Sequence, residues 1–105
     1  MASIIDYGAY VMHRCNIDPN KVRKMYIAEW NDEAGRECRG FTLRTDDTIY
    51  IVPDVNYIFE PRPIYKYQGD LSYPVGIKNA GKYLESKGIH DKKQLGALLE
   101  YVVLI

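Results

Sequence analysis

Four side chains in this chain have the chemistry of metal ligands or nucleophiles: His13, Cys15, Cys38 and His90. Zinc sites draw on ligands paired a few residues apart, and a thiol nucleophile needs a base within hydrogen-bond reach. Only His13 and Cys15 are near neighbours, and no spacing matches a zinc finger or ribbon. No metal and no cofactor is therefore expected. Two cysteines are too few for a disulfide framework of the kind small secreted domains use, so Cys15 and Cys38 are expected to be buried thiols.

A second group is acidic. Glu29, Asp32, Glu33 and Glu37 stand close enough in sequence to converge on one end of a hairpin. Paired carboxylates can act as acid and base or hold a divalent cation. At a hairpin tip they also make an acidic surface that suits a partner's basic groove. Gly35, Gly40 and Gly69 are isolated, so no glycine-rich phosphate loop is present.

The third group is aromatic. Ten tyrosines occur in 105 residues, seven of them from Tyr50 to Tyr101. Tyrosine combines a large apolar ring with a polar tip and is enriched where one surface binds another. Tyr57, Tyr65, Tyr67 and Tyr73 are the expected anchors, with Arg62 and Lys66 interleaved. Basic and aromatic residues in the order Arg62-Pro63-Ile64-Tyr65-Lys66-Tyr67 can stack nucleic-acid bases. They equally suit a loop that packs one tyrosine face inward and offers the other to a protein.

These groups must be positioned by a small α+β domain. Ser3 can cap a helix in which Ile4, Gly8, Val11, Met12 and Cys15 recur at helical spacing, and Asp18-Pro19 ends it; glycine at 8 leaves a strand through Ala9-Tyr10-Val11-Met12 as the alternative. From Lys24 to Glu60 the pattern is that of strands: Met25 to Trp30, Glu37 to Arg44, Thr48 to Val52, and Val55 to Glu60 as a fourth or a continuation of the third. An antiparallel meander of three to four strands is expected over about residues 24–60. The stretch from Pro61 to Gly76 loses all periodicity and reads as a long irregular connection, of the kind that often carries function. Two C-terminal helices follow. The first runs through Ile77, Ala80, Gly81 and Leu84 and stops at Gly88. His90-Asp91 caps the second, which carries an apolar stripe of Leu95, Leu98, Leu99, Val102 and Ile105.

Length fits a single compact domain over residues 1–105, and 47% hydrophobic with 27% charged residues argues against disorder. No apolar run is long enough to span a bilayer, and Met1 to Asp6 lacks the features of a secretory leader, so no membrane association and a cytoplasmic location are expected. Net charge is zero, which weakens a case for nucleic-acid binding by bulk electrostatics. The charge is uneven, however: residues 1–28 sum to +2, residues 29–60 to −5 and the remainder to +3.

Two short strings have counterparts in known families. Glu37-Cys38-Arg39-Gly40-Phe41-Thr42-Leu43, with the later Arg62 to Tyr67, resembles the lead-in to the active site of phage-type RNA ligases. Those enzymes carry their nucleotidyl lysine in a Lys-x-Asp-Gly motif, which this chain lacks, so the resemblance implies no ligase chemistry. Asn79 to Ile89, continuing to Leu95, is similar to a helix–Gly-Ile–helix arrangement of DNA-associated domains. Ile89-His90-Asp91 stands where helix-hairpin-helix modules place the glycine-rich hairpin that holds phosphates. Neither string identifies a family.

The expected function is that of a small non-enzymatic protein-binding module. An inhibitor or adaptor fits, for example an anti-defence protein of a phage or mobile element. It would use Tyr57, Arg62, Tyr65, Lys66, Tyr67 and Tyr73 with the acidic Glu29, Asp32, Glu33 and Glu37 against a partner with a basic groove. A homodimer is compatible with this. The alternative is a nucleic-acid-binding domain using Arg62, Lys66 and the lysines of the C-terminal helices.

Overall fold

A computed structural model describes residues 3–55 and 63–100. Helix α1 is Ile4–Cys15, strands β1, β2, β3 and β4 are Lys24–Asn31, Glu37–Arg44, Thr48–Val52 and Tyr65–Gln68, and helices α2 and α3 are Val75–Ser86 and Lys92–Leu99. The strands form one antiparallel sheet in the order β1-β2-β3-β4, so the fold is the expected α+β meander with one helix before it and two after.

Local chemistry sets the element ends. Ser3 and Asp6 make a reciprocal capping box on α1: the Asp6 amide donates to Ser3 Oγ at 3.3 Å and the Ser3 amide to Asp6 Oδ2 at 2.8 Å. Asn16 closes the helix in the left-handed region, at φ 53°. Asp91 caps α3 by accepting from the amides of Lys93 and Gln94 at 2.9 and 3.4 Å.

Side chains alternate across a sheet, so each strand feeds two layers. Met25, Ile27, Phe41, Leu43, Tyr50 and Val52 face α1, where Tyr7 and Val11 bury against them. Tyr26, Ala28, Ile49, Ile51, Tyr65 and Tyr67 face the opposite layer, built from Ala80 and Leu84 of α2 and Leu95, Leu98 and Leu99 of α3. Thr42 is buried on that side and donates to the Leu98 carbonyl at 3.2 Å; the Tyr26 hydroxyl, from its cross-strand partner, donates to the same oxygen. Gly8, an awkward residue for a helix, leaves room for the Met25 side chain of β1: an added Cβ would sit 2.6 Å from Met25 Sδ.

Three expectations are revised or fall outside the described residues. The fourth strand is Tyr65–Gln68, inside the stretch read as irregular; Tyr65 and Tyr67 alternate inward while Lys66 and Gln68 alternate outward. Flanking prolines and glycines hide that four-residue alternation in the sequence. The strand expected from Val55 to Glu60 lies outside the described residues beyond Val55, as do Val102 and Ile105 of the C-terminal stripe. The two cysteines are free and half-buried rather than buried, and they lie on opposite faces of the sheet, Cys15 beneath α1 and Cys38 opposite Trp30.

Candidate partner-binding surface

The four acidic residues do converge, at the free end of the β1–β2 hairpin. Its turn is held from within. The Asp32 amide donates to the Arg36 carbonyl at 3.0 Å, and Gly35 takes the left-handed conformation at φ 80° that lets the chain reverse. The Asp32 carboxylate accepts from the Arg36 amide at 2.9 Å and from its guanidinium Nε at 3.0 Å. That backbone amide, with the guanidinium behind it, holds the Asp32 carboxyl below its ordinary range. Three positions down the ladder, the cross-strand partners Glu29 and Arg39 approach to 3.5 Å.

Two of the four carboxylates are thus occupied in stiffening the hairpin. Glu33 and Glu37 are exposed and form no ion pair among the described residues. Glu37 also lines a shallow depression with Glu29, Asn31 and Arg39, closed on the other side by Trp30 and Cys38. Trp30 is half-buried against the α2–α3 layer, so its ring floors the acidic end instead of standing free.

The tyrosines are dispersed. Tyr67 is buried, its ring 5.8 Å from that of Tyr83, and its hydroxyl reaches the Asp70 carbonyl at 3.5 Å. Tyr65 packs half-buried into the same layer. Tyr67 is a core residue, whereas Tyr65 keeps part of its surface open and lines a depression with Pro53, Pro63 and Ile89. Lys66 points to the other face of the sheet, its Nζ 5.9 Å from the centre of the Tyr50 ring, while its amide donates to the Tyr83 hydroxyl at 3.2 Å. Tyr73 is 59% exposed, in a groove between α2 and α3. Tyr57 and Arg62 lie outside the described residues.

Tyr73 and the hairpin carboxylates line different depressions: Tyr73 lines the groove between α2 and α3, and Glu29 and Glu37 the one at the hairpin end. Lys66 points to the α1 face of the sheet, whereas α2 and α3 pack on the opposite face.

Among the described residues no three His, Cys, Asp or Glu side chains are arranged to hold a metal ion. Burial raises the pKa of the Cys15 thiol, against the opposing pull of Lys66 and Arg14, which disfavours the thiolate a nucleophile requires. The sequence reading missed the α2–α3 groove. Its signal was present in the lysines of α2 four residues apart, Lys78 and Lys82, and in glycines at 81 and 96 with no turn to explain them.

Comparison with models of known protein families, with curated proteins and with solved structures gives no match.

Proposed function

We propose that this chain is a small protein-binding module, acting as an inhibitor or adaptor, whose hairpin end enters a basic groove on its partner. The observation that carries this reading is the division of labour among the four carboxylates. Asp32 is bonded to Arg36 across the turn and Glu29 is paired with Arg39 on the strands below it, while Glu33 and Glu37 are left exposed beside that braced turn. A rigid element presenting charge loses little entropy on binding, and complementary charge speeds encounter and fixes register. A basic groove of that kind commonly takes nucleic-acid phosphates, so occupying it would block a nucleic-acid-handling partner. This is the form an anti-defence role would take.

The reading predicts that the tagged chain captures one stoichiometric protein from host lysate, that nuclease treatment leaves the capture intact, and that Glu33→Lys with Glu37→Lys abolishes it while the circular dichroism spectrum is unchanged. The association rate with the purified partner should fall about tenfold or more in the variant and should fall in the wild type as salt rises. Capture that disappears with nuclease would move the function to nucleic acid and to Arg62, Lys66 and the helix lysines. Capture by the folded double variant at wild-type strength would remove the hairpin from the interface.

A further inference from the structure

The groove between α2 and α3 lies at a different place from the hairpin end and has its own chemistry. It encloses about 670 Å³, with Tyr73 at one end, Leu99 on its α3 wall, and Ile77, Lys78, Gly81, Lys82 and Glu85 along α2. Three features of that wall are unaccounted for by the chain's own packing. Tyr73 is 59% exposed, a large apolar ring at the point where α2 begins. Lys78, Lys82 and Glu85 form no ion pair among the described residues. The third feature is Gly81. A Cβ there would meet only Leu99 Cδ1, at an ordinary 3.6 Å, and one at Gly96 would meet nothing within 4 Å. Neither glycine is needed for a close internal approach or for a positive φ, yet each costs a helix about 1 kcal/mol relative to alanine.

We propose that this groove is a self-association surface, occupied by α2 of a second copy of the chain lying antiparallel about a twofold axis between Gly81 and Lys82. The sequence along the stripe has the symmetry such an axis demands. Antiparallel pairing centred there sets Lys78 against the partner's Glu85, and Glu85 against the partner's Lys78. It also lays the stem of Lys82 across the space above the partner's Gly81. Every stripe position from 78 to 85 is carried onto another stripe position, which is the condition for an isologous interface. Lys78 and Lys82 share the groove with Glu85 and Glu100, and the end charges of the stripe pair opposite signs only in this orientation, because a parallel arrangement would set lysine against lysine. Glycine at 81 lets the helices come close, and the seated helix covers the exposed ring of Tyr73. A contact made by one pair of helices belongs with small, reversible interfaces, so association is expected to be weak and concentration-dependent.

Sedimentation equilibrium on the full chain tests this, with circular dichroism to check that each variant is folded. Wild type should dimerise. Lys78→Glu and Glu85→Lys should each weaken dimerisation by at least about tenfold, by placing like charges opposite one another. The double variant K78E/E85K should recover wild-type association to within about threefold, because the reversed pairs again match. An equimolar mixture of the two single variants should form a heterodimer, one stripe being wholly acidic at its ends and the other wholly basic. Gly81→Gln should block association while leaving a folded monomer, since its side chain points into the groove. A wild type that stays monomeric to about 0.5 mM overturns the proposal, as does a dimer indifferent to both single reversals, or a double variant no better than the singles.

Discussion

A glycine in a central strand gives up side-chain packing and costs backbone entropy, so its position there needs a local reason. At Gly40 the reason is α3. A Cβ would lie 2.5 Å from Leu98 Cδ2 and 3.0 Å from the carbonyl oxygens of Val52 and Pro53. Leu98 could rotate away, but the two carbonyls belong to the backbone at the end of β3 and cannot. Gly40→Ala is therefore expected to destabilise the fold by about 1–3 kcal/mol, through overpacking and a shift of α3 off the sheet. Urea unfolding would show this as a lower midpoint with an unchanged slope. A loss under ~0.5 kcal/mol would mean that α3 accommodates the methyl and is less firmly seated than its contacts imply. At this scale the sequence is silent: Gly40 stands out only as an isolated glycine, because what it adjoins comes from 58 positions further along the chain.

At the scale of elements the sequence speaks clearly wherever the determining groups are neighbours. Ser3 with Asp6 and Asp91 with the amides after it are readable as caps because capping is a contact over two or three residues. The strands β1 to β3 are readable from alternation over five to eight residues. β4 is not, since four residues between a proline pair and a glycine give alternation too little room, and its pairing with β3 is a long-range event. The same local carboxylates govern the response to acid. The Ser3 amide lowers the Asp6 pKa, the Arg36 amide that of Asp32, the Arg23 guanidinium that of Asp46 and the Ser72 hydroxyl that of Asp70. A carboxyl whose folded pKa lies below its unfolded value of about 3.9 contributes stability that is complete above that value and is lost as pH falls through the folded one. Stability should thus be level from about pH 5 to 7 and decline below about pH 4. Asp6→Asn with Asp46→Asn should shallow the acid limb of the thermal midpoint plotted against pH. An acid limb as steep as the wild type's would assign the acid sensitivity to other groups.

The whole molecule is organised by its sheet, and that organisation decided which expected site residues stayed together. The hairpin carboxylates are contiguous in sequence and remain contiguous in space, so the acidic end was legible. The tyrosines and Lys66 are neighbours in the chain, but a strand sends successive residues to opposite faces, and β4 buries Tyr67, half-buries Tyr65 and turns Lys66 to the other face. The same alternation ties the two apolar layers into one cooperative unit. Phe41 and Leu43 serve the α1 layer, while Thr42 between them serves the α2–α3 layer; Ile49 and Ile51 likewise flank Tyr50. Neither helix layer can be lost without exposing one face of strands that the other layer needs intact. Thermal or urea unfolding is therefore expected to be two-state, with the fluorescence of the single tryptophan, Trp30, following the same curve as the far-ultraviolet signal to which α1 contributes. The midpoint should rise with protein concentration over the range in which the α2 stripes associate, because only the folded chain carries that surface. An earlier far-ultraviolet step at constant tryptophan fluorescence would instead mean that α1 detaches from an otherwise intact sheet, and that Tyr7 and Val11 add less to the fold than their burial suggests.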